Sequence, residues 1–270
     1  MKRIKKQVKN GKDYAYFIKN YNYYSLRLTN FQKQGIMIKK AGKAMQTSEI
    51  IKNVQEIKQS LVGKNPFGEQ VLLIAATKMQ TAEVINAAID GGVDAVAENK
   101  PQEFRDKNEF IQPCPRHFIG HLQTNKVKYL VGKVELFHSC DRDELAMEIA
   151  RQSLKNNIVS NVLIQVNIGN EESKGGYTYE QAQETFYRLS KIQGINVKGF
   201  MAMLPESDDE FLLRTLAKKM RTLFEWGKMQ NEQVEYLSMG MSGDYQLCVE
   251  EGSNMVRLGS TIFGKRNYNV

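Results

Sequence analysis

The sequence predicts a single closed (β/α)8 barrel, and three observations carry that expectation. Eight short apolar runs of strand length recur along the chain, each separated from the next by a polar or amphipathic stretch. The first run ends in ATKMQT (76–81), without the G-x-G-x-x-G turn that an open dinucleotide-binding sheet would place there. No linker, repeat or low-complexity segment divides residues 45–270, so one domain is expected there.

The first periodic segment, residues 48–61, sets Ile50, Val54, Ile57 and Leu61 on one helical face. VLLIAATK (71–78) then reads as a buried strand, followed by the helical TAEVINAAIDGG (81–92) with its glycine stop. The remaining strands are expected at 95–99, 117–121, 136–140, 161–168, 197–203, 236–242 and 255–264. Between them the clearest helices are 141–156 and 208–229, the latter with Leu212, Leu216, Met220, Leu223 and Trp226 in helical period. In such barrels chemistry sits at the C-terminal strand ends.

Of 270 residues, 41% are hydrophobic and 9% aromatic, which excludes collagen-like and wholly disordered classes. The net charge of +8 is uneven. Residues 1–44 hold twelve Lys plus Arg and one acid, Asp13, a net +11, which leaves residues 45–270 at −3. Five of the twelve tyrosines also fall in that segment. A basic arm with aromatics can grip RNA or anionic lipid. Its composition and lack of apolar period favour a disordered or non-native extension, and Met45 is the expected true start. No nucleic-acid partner is expected for the barrel.

No run approaches the roughly 18 apolar residues of a membrane span, and no secretory signal opens the chain. Cys114, Cys140 and Cys248 are odd in number and never in a C-x-x-C spacing. The expectation is a cytoplasmic protein without membrane attachment.

At the strand ends, Lys78 closes the first run after six apolar or small residues. A lysine whose stem packs among barrel side chains can present a neutral amine to an aldehyde. SMGMSGDY (238–245) and RLGST (257–261) place small residues, backbone N–H groups and hydroxyls at the ends of strands seven and eight, as a phosphate site requires. Arg257 lies inside an apolar strand, where its charge needs a buried acid or a ligand acceptor. An amine, an anion cradle and an inward arginine together describe a pocket for an aldehyde bearing a phosphate, and pyridoxal 5'-phosphate is such a molecule.

The segments LLIAATK, ENKPQE, RHFIGHLQTNK, VLIQVNI with ESKGG, GFMAM, LSMGMS and GSNMVRLGSTIFGKR resemble, in order, those of the pyridoxal phosphate homeostasis proteins (the YggS-like family). They cover essentially everything after residue 60. The resemblance implies the barrel of the alanine racemase N-terminal domain, without that enzyme's second, β-rich domain. It implies Lys78 as the Schiff-base lysine, with Asn99 as a polar contact beside it. Ser242, Gly259 and Ser260 match phosphate-binding positions, and Arg257 matches the arginine at the pyridine nitrogen. Met201 and Met241 match pocket-lining positions, and His117 matches a family histidine. The chain departs from the family's pattern at Met79, Gln80, Ala97, Lys100 and Pro101.

The implied role is to hold pyridoxal phosphate covalently and maintain intracellular vitamin B6 balance without catalytic turnover. Apo-enzymes that use the cofactor are candidate partners, and a monomer or weak dimer is expected. The alternative is a racemase-type enzyme. An arginine at the ring nitrogen weakens the cofactor as an electron sink, and racemisation also needs a second acid/base on the opposite face. A metal site built from His117, His121 and His138 is not expected. His117 and His121 would sit more than about 10 Å apart at strand rise, too far to share one ion.

Overall fold

The alternation of inward and outward side chains organises the barrel. In the computed structural model, which describes residues 47–264, helix α1 (Thr47–Leu61) precedes eight parallel strands. The strands are β1 (Leu72–Ala76), β2 (Ala95–Glu98), β3 (Arg116–Phe118), β4 (Leu136–Cys140), β5 (Ser160–Val166), β6 (Ile195–Ala202), β7 (Tyr236–Ser238) and β8 (Met255–Leu258). They pair in chain order, and β8 closes on β1 with Ile74 opposite Arg257.

Ile74, Ala95, Ala97, Leu136, Leu163, Met201 and Met255 fill the inside of the barrel. The opposite strand faces carry Phe118, Phe137, Ile164, Phe200 and Leu237 into the layer beneath the helices. That two-sided burial explains why the strands read as continuous apolar runs.

The outer helices are α2 (Ala82–Asp90), α3 (Pro101–Lys107), α4 (Asp143–Lys155), α5 (Ala182–Leu189), α6 (Glu210–Gln230), α7 (Tyr245–Glu250) and α8 (Ser260–Phe263). Local chemistry sets their starts. Thr81 caps α2 through the Val84 amide, and Asp209 caps α6 through the Leu212 amide. Pro101 occupies the first turn of α3, so the departure at Lys100 and Pro101 begins a helix there. A 3-10 turn (Thr124–Tyr129) stands between β3 and β4 where other units have an α-helix.

Seven of the eight strands end earlier than the sequence suggests, all but β4, and four of them bear on the site. β1 stops at Ala76, so Lys78 lies in the following turn, closed by the Gln80 amide on the Thr77 carbonyl at 3.0 Å. β3 stops at Phe118, because at Gly120 the chain presses against β2's end: a Cβ there would stand 2.0 Å from the Asn99 carbonyl oxygen. β7 stops at Ser238, and Gly240 turns away with φ +107°. β8 stops at Leu258, and Gly259 to Phe263, read as strand, instead form the cap and body of α8. The basic segment 1–44 and its possible ligands lie outside the described residues.

Candidate functional site

Lys78, half-buried, lies just past the C-terminal end of β1 on a turn held from two sides. On the β2 side, the Thr77 amide and hydroxyl both donate to the Ala97 carbonyl, at 2.9 and 3.0 Å, and the hydroxyl also reaches Glu98 Oε1 at 2.8 Å. On the α3 side, Glu103 Oε2 accepts from the Met79 amide at 2.7 Å, and Lys107 Nζ donates to the Thr77 carbonyl at 3.2 Å. Met79 is left-handed, φ 64°, which a non-glycine residue adopts only where its surroundings hold it. The Lys78 amine makes no ion pair or hydrogen bond among the described residues.

The loops after β7 and β8 meet at Ser242. Its Oγ accepts from the Gly259 and Thr261 amides at 3.4 and 3.3 Å, so one hydroxyl joins the two segments. Asp244 Oδ1 takes the Met241 amide at 2.6 Å and fixes the first loop. The amides of Ser242, Gly243 and Ser260 bond to none of the described residues. A Cβ on Gly243 would meet nothing within 4 Å, so this backbone borders open space. Free amides beside a hydroxyl form a donor set for an anion.

Arg257, 5% exposed, points into the barrel. Of the two partners expected, a buried acid or a ligand acceptor, no acid bonds it among the described residues. Its Nη1 donates to the Ser238 carbonyl at 2.8 Å and hydroxyl at 2.7 Å, and Nη2 donates to the Ala202 carbonyl at 3.0 Å. Carbonyls at the ends of β6 and β7 take the place of a carboxylate. Burial lowers the Arg257 pKa to about 10, so the guanidinium stays charged at neutral pH. Its Nε bonds to no described residue and is not among their sealed, unpartnered side-chain atoms, so that edge remains accessible.

A chain of neutral groups continues from Ser238. Its hydroxyl lies 3.0 Å from His138 Nδ1, and His138 Nε2 lies 3.0 Å from His117 Nδ1. Burial pushes His117 down to about 4, and burial, followed by the charges of its neighbours, holds His138 well below the ordinary histidine range. Both rings are uncharged at neutral pH.

The structure thus joins Ser242 to Gly259, and Arg257 to His117 through two intermediaries. Met201 is buried inside the barrel, whereas Met241 is 38% exposed on the β7 loop. Asn99 follows β2, with its carbonyl beneath Gly120. His121, read as the end of a strand, lies in the loop beyond β3 and bonds the buried Asp141 at 2.8 Å. Sequence reasoning missed Ser238, Glu98, Glu103 and Lys107, and gave His138 no role other than a rejected metal site. Strand parity was the available signal, since His138 shares the inward face of Leu136, and Ser238 that of Tyr236.

Residues 45–267 match the family model for the alanine racemase N-terminal domain. A pyridoxal phosphate homeostasis protein of Aquifex aeolicus (strain VF5) is 43% identical over 199 residues, 73% of this chain and 87% of the relative. Among solved structures, an unknown protein from Bifidobacterium adolescentis aligns with TM-score 0.76 at 30% identity, covering 83% of this chain and 99% of that one. PipY of Synechococcus elongatus PCC7942, solved with PLP bound, aligns with TM-score 0.69 at 26% identity, covering 80% and 100%.

Proposed function

The chain belongs to the pyridoxal phosphate homeostasis protein family, built on the alanine racemase N-terminal domain, and on that premise we propose that it holds pyridoxal 5'-phosphate through Lys78 and governs how much of this reactive aldehyde is free, without turnover of its own. The observation that carries the proposal is Arg257: a buried cation with no carboxylate partner and an accessible Nε–H. Such a group fits a neutral acceptor, and a pyridine nitrogen is one.

The rest of the donor set fits the same molecule. Ser242, the Gly259 turn that it fixes and the unbonded amide of Ser260 suit a phosphate. Lys78 offers an amine with no competing ion pair. Met201 lies inside the barrel, His117 is buried and joined to Arg257 through His138 and Ser238, and Asn99 and Met241 follow β2 and β7. When bound, the cofactor supplies an aldehyde carbon that condenses with a primary amine, losing water. Arg257 directs a proton at the ring nitrogen without giving it up, which weakens electron withdrawal into the ring and disfavours transamination. That supports a carrier over a transaminating enzyme, while a racemase-type reading needs a second acid/base on the opposite face of the ligand.

Apo-enzymes that need the cofactor are its proposed recipients, and a monomer or weak dimer its proposed state. Among the described residues no helix is long and apolar enough to cross a membrane. Cys114, Cys140 and Cys248 are free thiols, which supports a reducing cytoplasm. The test is the visible spectrum of the purified protein with pyridoxal phosphate, before and after borohydride. Wild type should show a yellow band that borohydride converts to a permanent adduct, and Lys78→Ala should show neither. A trappable band that persists in Lys78→Ala would overturn the assignment.

A further inference from the structure

We propose that Glu103 and Lys107 of α3 are positioning residues that hold the two peptide groups flanking Lys78. The proposal rests on Lys78 being the amine that takes the aldehyde. Lys107 Nζ bonds the Thr77 carbonyl on the N-terminal side of Lys78, and Glu103 Oε2 takes the Met79 amide on the C-terminal side. The two side chains stand one helical turn apart and pair with each other at 2.6 Å. Lys107 also reaches the buried Glu98 at 2.8 Å, which binds the Thr77 hydroxyl, so the clamp extends down into β2.

Three features separate this clamp from an ordinary surface ion pair. Lys107 and Glu103 are only 16% and 21% exposed in their side chains, so their bonds are partly shielded from water. Met79 is left-handed while the residue is 64% exposed. Its backbone conformation therefore gains little from side-chain packing, and the Glu103 carboxylate holds its amide. Finally, two charged side chains bond the backbone on either side of Lys78, a third, Glu98, bonds the Thr77 hydroxyl, and none bonds the lysine's amine. The lysine is fixed at its root and free at its tip, the condition under which an amine meets a bound carbonyl with little reorganisation.

The test uses the full chain, with Glu103→Ala and Lys107→Met, and Lys107→Arg as the conservative variant. In the cofactor-free protein, exchange of the Met79 amide proton should quicken about tenfold or more in Glu103→Ala. With pyridoxal phosphate, the rate of forming the borohydride-trappable link should fall about tenfold or more in both variants and recover in Lys107→Arg. Binding of pyridoxamine 5'-phosphate, which has no aldehyde, should stay unchanged. Parallel loss of both ligands, or trapping at the wild-type rate, overturns the proposal. If wild type traps no aldehyde at all, the cofactor assignment fails, and an unchanged Met79 exchange rate would still overturn the clamp.

Discussion

His138 Nε2 lies 3.0 Å from His117 Nδ1, and the direction of the proton between them is set from the far side of the barrel. Arg257 can only donate, so the Ser238 oxygen accepts from it. Ser238 is fully buried, and its own proton has one acceptor, His138 Nδ1. Reversing the chain would strand that proton at a cost of about 1–3 kcal/mol. His138 therefore carries its proton on Nε2 and donates to His117, which in turn carries its proton on Nε2.

That order has a measurable pH signature. His117 titrates near 4 in the folded protein against an ordinary value of 6.5, so between those values the unfolded chain binds more protons and stability falls as pH falls. The loss from His117 alone is on the order of 3 kcal/mol by the time pH drops below 4. The thermal midpoint should be level around neutral pH and decline from about pH 6.5 downward, with a shallower decline in His117→Gln. Nitrogen NMR at pH 7 should find both rings neutral and protonated at Nε2. A charged ring, or a proton on Nδ1 of His138, would refute the order.

Removing Arg257 leaves three acceptors without their donor, at the Ser238 carbonyl and hydroxyl and at the Ala202 carbonyl. Arg257→Ala should cost about 2–5 kcal/mol in denaturant unfolding and weaken pyridoxal phosphate binding. Arg151→Ala, which removes an exposed pair with Glu148, is the control and should change neither. Equal binding in the two variants would mark Arg257 as purely structural.

The protein should racemise L-alanine no faster than free pyridoxal phosphate in buffer. Chiral chromatography after long incubation measures this directly. Activity well above the cofactor control would reveal an acid/base on the ligand's second face, and Tyr245, half-buried at the start of α7, would be the first residue to replace.

How far the residues announce this architecture depends on what each feature is made of. The eight strands were legible because burial on both faces writes an uninterrupted apolar run, as in Val162 to Ile164. Their ends were not, because Gly120 stops β3 through a contact with a carbonyl on another strand, which no local pattern encodes. Lys78, Ser242 and Arg257 stood out as polar residues at the ends of apolar runs. The partners of Arg257 did not, since two are backbone carbonyls that every residue possesses. Glu103 and Lys107 look in sequence like a solvated pair four apart on a helix. Only the turn folding over them makes them a clamp.

A chain beginning at Met45 should keep the thermal midpoint of the full chain, within the roughly 0.5 kcal/mol typical of changes away from buried features. It should take up pyridoxal phosphate to the same extent. The reason is that charge, tyrosine clustering and aperiodicity all stop near Met45. A drop of several degrees would show that residues 1–44 support the barrel. Loss of RNA or vesicle association alone would make the basic arm a functional element.

The closure of β8 on β1 orders events in time as well as in space. Lys78 leaves the ribosome early, but Arg257 and the Gly259 to Thr261 loop arrive in the last stretch of the barrel to be synthesised. That stretch is secured from the start of the fold, where Asn53 of α1 bonds the Ile262 carbonyl across 209 residues. Until β8 clears the exit tunnel, a nascent chain has Lys78 but neither Arg257 nor the second of the two loops that meet at Ser242. The residues proposed to hold the cofactor thus come together only in a finished barrel.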